Sequence, residues 1–213
     1  LPEDLAHVWK MFIDLDSTRT SNGFGINPIQ YSEMLAYFKL FNIEPEDYEI
    51  TAIRLLDNVA REHFNKKMKE DKNESRWDKL LNIRTMGRDD THADQYRYPY
   101  EPTPYSVLER LANAGYIRKG NILLDYGCGK GRVDFFLSYQ TGCNSIGIEY
   151  NERFYQTALR NQKKAVSSGK VCFVQQDAAA YQVPAQVDRC FFFNPFCLEI
   201  LKQAMARILE SWY

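Results

Sequence analysis

The sequence predicts an α/β protein in which a small module of three helices precedes a parallel sheet with flanking helices. Apolar residues recur at helical spacing through the first 65 residues. From residue 121 onward, short apolar runs alternate with helical segments, and a glycine-rich turn joins the first run to the next helix. The 213 residues are 45% hydrophobic and 26% charged, a composition that excludes a disordered chain.

Three amphipathic helices are predicted in the first module, over residues 4–15, 31–41 and 45–65. Ser21–Gly25 predicts a loop between the first two helices. Asn42 ends the second helix, and Pro45 is well suited as the first residue of the third. We therefore assign residues 1–67 to a helical module.

A polar stretch follows the first module. Residues 65–78 are nearly all polar, which predicts a linker or a solvated helical extension within residues 68–94. The charge also changes along the chain: residues 1–67 carry 7 Lys and Arg against 11 Asp and Glu, and residues 68–213 carry 20 against 17. The resulting net charges of −4 and +3 indicate two modules.

The second half alternates strands and helices. The predicted strands cover residues 122–125, 145–149, 171–174 and 187–193. The predicted helices cover residues 105–115, 132–140, 151–167 and 197–211. This order predicts a parallel sheet covered by helices, in which a ligand binds at the carboxyl ends of the strands.

Several classes of protein are excluded by the cysteines and the hydropathy. The five cysteines form no CxxC pair, so neither a disulfide framework nor a zinc site is supported, and we expect reduced cysteines in or near the core. No apolar run approaches the roughly 20 residues of a membrane span, and Leu1–Asp4 does not begin a signal peptide. We therefore expect a cytoplasmic protein with no metal site and no membrane partner.

The sharpest motif is a turn with three alternating glycines, Gly127, Gly129 and Gly131, directly after a strand that ends at Asp125. Glycine allows a tight turn and lets a ligand approach the backbone, which a Cβ atom would block. The spacing differs from G-x-G-x-x-G, which disfavours NAD or a nucleotide sugar. Polar features follow the next three strands in turn: Glu149 with Tyr150, Asp177 with Ala178, and Asn194 with Pro195 and Phe196.

In order and spacing, these features resemble the class I S-adenosylmethionine-dependent methyltransferases over about residues 95–213. The resemblance implies a Rossmann-like sheet and S-adenosylmethionine as the cofactor. It implies that Asp125, Gly127, Gly129 and Gly131 lie along the methionine part of the cofactor. Further implied contacts are Glu149 at the ribose, Tyr150 beside the adenine, Asp177 at the adenine amine, and Ala178 next to Asp177.

The segment Asn194-Pro195-Phe196 is similar to a shortened Asn/Asp-Pro-Pro-Tyr/Phe motif of the family's amino-methylating branch. The resemblance implies that these three residues are catalytic. The Asn oxygen and a backbone carbonyl would accept the hydrogens of the amine, and the aromatic ring would stack on the substrate. Methyl transfer would then depend mainly on the position of the nitrogen. The missing second proline disfavours a nucleic-base amine, and Arg132 after the glycines is similar to some protein-lysine methyltransferases. Protein and nucleic-acid acceptors both stay open.

The aromatic, proline-rich stretch from Tyr100 to Tyr105 resembles the segment that precedes the first motif in many of these enzymes and covers the cofactor. The prolines exclude a regular helix. From this resemblance we expect Tyr105 to bind the cofactor.

The predicted sheet has fewer strands than the family's. That sheet has seven strands in the order 3-2-1-4-5-7-6, whereas four clear strands precede residue 213. We therefore expect a C-terminally incomplete domain with an exposed sheet edge, either because the chain is a fragment or because another chain completes it.

Residues 5–65 resemble small tailed-phage proteins encoded near the tail genes. The resemblance rests on Trp9–Phe12, on Asn27–Tyr31 and on the helical segment Glu49–Asp57. It implies a module that binds a phage or other protein partner. The net charge of −4 disfavours a DNA-reading helix-turn-helix. Two functions therefore stay open: a methyltransferase, and a non-catalytic phage-related assembly or binding protein.

Overall fold

The computed structural model describes residues 5–21, 25–91 and 96–212. Residues 22–24 of the predicted Ser21–Gly25 loop lie outside the described residues, as do Leu1–Asp4, which do not read as the start of a signal peptide. The chain divides into two compact units, Leu1–Lys72 and Asn73–Tyr213. The predicted fold class is confirmed, because three helices precede a four-stranded parallel sheet with flanking helices.

The helices are α1 (Ala6–Ser17), α2 (Tyr31–Leu40), α3 (Asp47–Leu81), α4 (Tyr105–Asn113), α5 (Arg132–Thr141), α6 (Glu152–Gln162) and α7 (Leu198–Glu210). The strands are β1 (Ile122–Tyr126), β2 (Asn144–Glu149), β3 (Val171–Gln175) and β4 (Arg189–Phe192). A short 3₁₀ turn, Ser168–Lys170, leads into β3.

The first unit is held together by one apolar cluster. Its buried members come from α1, α2, α3 and the connection before α2: Val8, Met11, Phe12, Leu15, Ile29, Met34, Phe38 and Ile53. Those on α1 recur at the three- and four-residue spacing of a single helix face. Trp9 and Ile13 lie to the side of that face and are exposed.

Helix α3 is longer than predicted. Residues 66–81 contain neither glycine nor proline and many lysines and glutamates, so nothing in this stretch stops the helix. Asn82, with φ of +56°, ends it in the left-handed conformation. The polar stretch through residue 81 is therefore helical, and the division between the two compact units falls inside α3. The predicted borders at residues 67 and 94 stay a prediction.

The sheet has the strand order β3-β2-β1-β4, and every pairing is parallel. Strands β2 and β3 lie on one side of β1, and β4 lies on the other. The order of the strands therefore reverses beside β1, which is the point where open sheets of this kind bind ligands.

The two faces of the sheet carry separate cores. Leu123 packs with buried residues of α4, α5 and α6, whereas its neighbour Leu124 packs in a cluster that includes Ala204 and Ile208 of α7. All five cysteines are free. The expectation that they lie in or near the core is wrong for Cys172 and Cys190, which are exposed on the outer strands β3 and β4.

Candidate functional site

A cleft with a volume of about 340 Å³ opens at the carboxyl ends of the strands. Nine of the twelve predicted site residues line it: Asp125, Gly127, Glu149, Tyr150, Asp177, Ala178, Asn194, Pro195 and Phe196. The parallel sheet brings them together, because each follows or ends a neighbouring strand. The volume lies within the range of about 300 to 1,000 Å³ that is typical of small-molecule sites.

The three motif glycines all have positive φ, but they are needed for different contacts. A Cβ atom on Gly127 would lie 2.5 Å from the Cβ of Pro195, so the first motif and the loop after β4 pack directly on each other. A Cβ atom on Gly129 would overlap the ring of Tyr100. Neither Gly129 nor Gly131 lines the cleft; Gly131 faces Phe173 and precedes α5.

Two buried aspartates lie beneath the glycine turn. Asp125 is only 2% exposed, and its Oδ2 atom, like Oδ2 of Asp134, has no hydrogen-bond donor among the described residues. Burial raises the pKa of Asp125 well above its ordinary value, and the charges of Asp134 and Glu149 raise it further. Burial also raises the pKa of Asp134, although the hydroxyl of Ser145 donates to its Oδ1 atom at 2.5 Å. Each carboxyl group affects the pKa of the other, so a proton held by one of them would reduce the repulsion within this buried pair.

Glu149 is fixed by the backbone on both sides of its carboxylate. Gly129 N–H donates to Oε2 at 2.8 Å, and Asn151 N–H donates to Oε1 at 2.7 Å. Burial raises the pKa of Glu149, and these backbone donors oppose the shift. Each oxygen retains a lone pair, so this carboxylate can accept further hydrogen bonds from a pair of hydroxyl groups.

Asp177 and Tyr150 both line the cleft, and both contact the guanidinium of Arg97. The carboxylate of Asp177 accepts a hydrogen bond from Arg97 Nη2 at 2.8 Å, and Ala179 N–H donates to its second oxygen at 2.9 Å. The guanidinium of Arg97 also lies over the Tyr150 ring, 4.0 Å from its centroid. Ala178 is buried beside them.

The loop after β4 turns sharply at Asn194, whose φ is +46°. Asparagine adopts this left-handed conformation more readily than most residues. The turn leaves Asn194 exposed at the cleft while Pro195 packs on Gly127. Phe196 lines the cleft and also packs edge-on against Tyr126 and Phe192, so it belongs partly to the core.

Residues 96–104, which we call the cover segment, line the cleft opposite the strand ends. The backbone of Tyr100 exchanges two hydrogen bonds of 3.0 Å with Asp89, and its hydroxyl donates to the carbonyl of Thr85 at 2.6 Å. Its ring packs against Phe154, with the two centroids 4.9 Å apart. The segment is therefore anchored at its middle by Tyr100.

The structure corrects the expectation for Tyr105. It is fully buried in the core beneath α4, its hydroxyl donates to Asp78 at 2.7 Å, and it does not line the cleft. The cover segment does line the cleft, but through residues 97–103. The aromatic and proline-rich composition identified the segment, whereas only the fold shows which of its side chains face inward.

Arg132 binds the C-terminal end of the cover segment. This buried guanidinium donates to Thr85 Oγ1 at 2.7 Å and to the carbonyl of Thr103 at 3.2 Å, and it pairs with Glu74. It also lies over the ring of Tyr105, 4.3 Å from the centroid. Arg132 therefore joins the end of α3, the cover segment and the start of α5.

The described ranges contain neither a cluster of metal ligands nor a membrane-spanning helix. No group of three or more His, Cys, Asp or Glu side chains in residues 5–21, 25–91 and 96–212 could hold a metal ion. None of the helices in these ranges is both long and apolar enough to span a membrane. The cytoplasmic location stays a prediction.

Comparison with known proteins matches the two ends of the chain to different families. A family model described as a methyltransferase domain matches residues 123–213, and one described as a phage tail assembly chaperone matches residues 1–62. A protein-lysine N-methyltransferase of Saccharolobus islandicus (strain REY15A) is 30% identical over 113 residues. The match covers 53% of this chain and 70% of that protein.

Three solved structures are similar. An RNA methyltransferase from Salinibacter ruber with bound S-adenosyl-L-homocysteine has a TM-score of 0.40 and 26% identity over 42% of this chain and 58% of its own. A methyltransferase from Thiobacillus denitrificans with the same ligand has a TM-score of 0.39 and 26% identity, over 47% of this chain and 38% of its own. A putative RNA methyltransferase from Pyrococcus horikoshii has a TM-score of 0.46 and 17% identity, with 66% of each chain covered. The match thus spans less than two thirds of each solved chain.

Proposed function

Because this chain belongs to the S-adenosylmethionine-dependent methyltransferases, we propose that its cleft methylates an amine nitrogen of a protein, foremost a lysine side chain. When bound, S-adenosylmethionine supplies an electrophilic methyl group on a positively charged sulfur. A lysine ammonium would first release its proton to water, and the neutral nitrogen would then have to lie close to the methyl carbon and in line with the carbon–sulfur bond that breaks.

The residues of the cleft fit this cofactor. Gly127 of the glycine turn is exposed at the cleft, and the buried Oδ2 atom of Asp125 is an acceptor without a donor among the described residues. A carboxylate at this place suits the ammonium group of the methionine part. Glu149, with a free lone pair on each oxygen, suits the two ribose hydroxyl groups.

The observation that carries the choice of acceptor is the charge of the cleft. Besides Asp125, whose raised pKa favours its neutral form, four carboxyl groups line it, from Asp89, Glu101, Glu149 and Asp177, against the two guanidinium groups of Arg97 and Arg132. An excess of negative charge attracts an ammonium group and repels a phosphate backbone. The charge therefore favours a lysine acceptor over a nucleic acid.

We assign the acceptor end to the loop after β4. Asn194 lines the cleft, and no hydrogen bond from a described residue occupies its side-chain oxygen. That oxygen can accept a hydrogen bond from the acceptor amine and so orient the lone pair of the nitrogen. The exposed aromatic rings of Phe193 and Tyr98, which also line the cleft, suit the apolar part of a lysine side chain.

The acceptor is tested with three polymers and S-adenosylmethionine that carries a radiolabelled methyl group. The purified chain is incubated with polylysine, with fully acetylated polylysine, and with single-stranded RNA. We expect label in unmodified polylysine alone, because acetylation removes both the charge and the nucleophilic nitrogen. Label in RNA, or equal label in both forms of polylysine, would contradict a lysine acceptor.

The match of residues 1–62 to a phage tail assembly chaperone favours a second candidate function, binding of a protein partner by the first unit. The unit exposes large apolar side chains on α2 and just after it, among them Tyr31, Leu35, Leu40 and Phe41. A non-catalytic assembly protein would use this surface without the cleft. A chain that forms a stable complex through these residues but does not bind S-adenosylhomocysteine would support that alternative.

A further inference from the structure

Arg97 places a planar cation against the two residues that the methyltransferase resemblance assigns to the adenine. Its Nη2 atom donates to Asp177 Oδ2 at 2.8 Å, and its guanidinium carbon lies 4.0 Å from the centroid of the Tyr150 ring. The other carboxylate oxygen of Asp177 accepts a hydrogen bond from Ala179 N–H at 2.9 Å. Both oxygens of Asp177 are therefore engaged within the protein.

A guanidinium and the amine edge of adenine make the same kinds of contact. Each is planar, stacks on an aromatic face and donates N–H groups to a carboxylate. The Arg97 side chain and an adenine base would therefore compete for the approach to Asp177 Oδ2 and for the face of the Tyr150 ring that the guanidinium covers.

We propose that Arg97 is a competitive latch on the adenine end of the cleft, which the cofactor must displace from Asp177 and Tyr150. This inference rests on the proposed function, because it uses the assignment of the adenine to these two residues. It predicts that the unmodified chain binds the cofactor more weakly than a chain without the latch.

The backbone of Arg97 is held by neighbouring segments, whereas its side chain is partly exposed. The backbone pairs with Phe196 in an antiparallel bridge, and Cys197 N–H donates to the carbonyl of Tyr96 at 2.8 Å. The side chains of Arg97 and Asp177 are 27% and 33% exposed, so a displaced guanidinium would reach water. Ion pairs with this exposure are individually weak, which makes the latch displaceable by a ligand.

The test compares three full-length proteins by calorimetry: the unmodified chain, Arg97→Gln, and the matched control Arg207→Gln. The control also removes one positive charge from a surface ion pair, but on α7 with Glu210. S-adenosylhomocysteine is the first probe, and adenosine, which carries only the adenine and ribose, is the second. We expect Arg97→Gln to bind both probes about three- to tenfold more tightly, and Arg207→Gln to bind as the unmodified chain does.

The dependence of binding on salt provides a second test of the latch. The latch includes an ion pair, whereas S-adenosylhomocysteine and adenosine have no net charge at neutral pH. Raising the ionic strength should therefore tighten binding to the unmodified chain and leave Arg97→Gln nearly unchanged.

The outcomes separate the latch from the proposed function. Equal or weaker binding by Arg97→Gln would overturn the latch and leave the cofactor assignment in place. Tighter binding of S-adenosylhomocysteine without tighter binding of adenosine would also overturn it, because the competition would then not lie at the adenine end. Absence of binding by all three proteins would overturn the proposed function and the latch together.

Discussion

The floor and the rim of the cleft are built in different ways. The floor is formed by Asp125 and Glu149, with Gly129 packed behind it, and it is buried and fixed by a hydrogen bond and close packing. The rim, which includes Arg97, Tyr150 and Asn194, is partly or largely exposed and depends on side chains that reach water. The floor is therefore suited to hold a constant ligand, and the rim can adapt to an acceptor or be displaced.

The largest expected effect is on the free energy of unfolding, through the buried contacts of Arg132. Arg132→Met would leave the carboxylates of Glu74 and Asp78 without their buried cation, which typically costs about 3 to 5 kcal/mol. Chemical unfolding measures the loss. Arg88→Met removes an arginine from an exposed pair with Asp90 and should leave the unfolding midpoint unchanged. Equal midpoints for the two variants would contradict the structural role of Arg132.

The next largest effect is expected on the affinity for S-adenosylhomocysteine. Two alanine variants test whether it depends on the close packing behind the floor. Gly129→Ala and Gly120→Ala both place a side chain at positive φ, which costs about 1 to 2 kcal/mol. Only at Gly129 does the new Cβ atom overlap a neighbour, Tyr100, since nothing lies within 4 Å at Gly120. We expect Gly129→Ala alone to lose at least tenfold in affinity for S-adenosylhomocysteine. Affinity equal to that of Gly120→Ala would show that the floor tolerates the change.

The third prediction concerns the pH dependence of the floor. Burial raises the pKa of Asp125, and it raises the pKa of Asp134 to about 7, so the folded state holds protons that the unfolded chain releases above about pH 4. The free energy of unfolding should therefore fall as the pH rises from about 4 to about 7. Asp134→Asn removes one of the two groups and keeps a donor toward Asp125, so it should flatten this slope. A slope equal to that of the unmodified chain would exclude the pair as its cause.

The smallest effect on stability is expected at the rim. Asn194→Ala keeps the floor intact, so its affinity for S-adenosylhomocysteine should stay within about twofold, as for a surface change of roughly 0.5 kcal/mol. Methyl transfer to polylysine should nevertheless fall at least tenfold, since the amine loses the side-chain oxygen that orients it. Asn194→Gly, which accepts the same backbone conformation, separates the loss of the amide from strain. Full activity of Asn194→Gly would assign the effect of Asn194→Ala to the backbone.

The floor could be predicted from sequence because its signals are local. The three glycines follow a strand within seven residues, and Glu149 ends the next strand, so their meeting follows from the parallel topology. The contacts of the cover segment could not be predicted in this way. Arg97 meets Asp177 across 80 residues, and Arg132 meets Glu74 across 58, without a local pattern that links them.

Tyr105 and α3 illustrate the same limit. The composition of residues 96–105 indicated a segment that packs against the protein, but which aromatic rings face the cleft depends on the start of α4 at Tyr105. Likewise, the polar residues after position 65 were compatible with both a linker and a helix. The absence of glycine and proline up to residue 81 allows the helix to continue.

The central claim is that the cleft binds S-adenosylmethionine, and calorimetric titration of the purified chain tests it most directly. S-adenosylmethionine and S-adenosylhomocysteine are titrated, with NAD as the control ligand. We predict saturable binding at one site for the first two and none for NAD. Binding of NAD at the same site, or absence of binding for all three ligands, would contradict the claim.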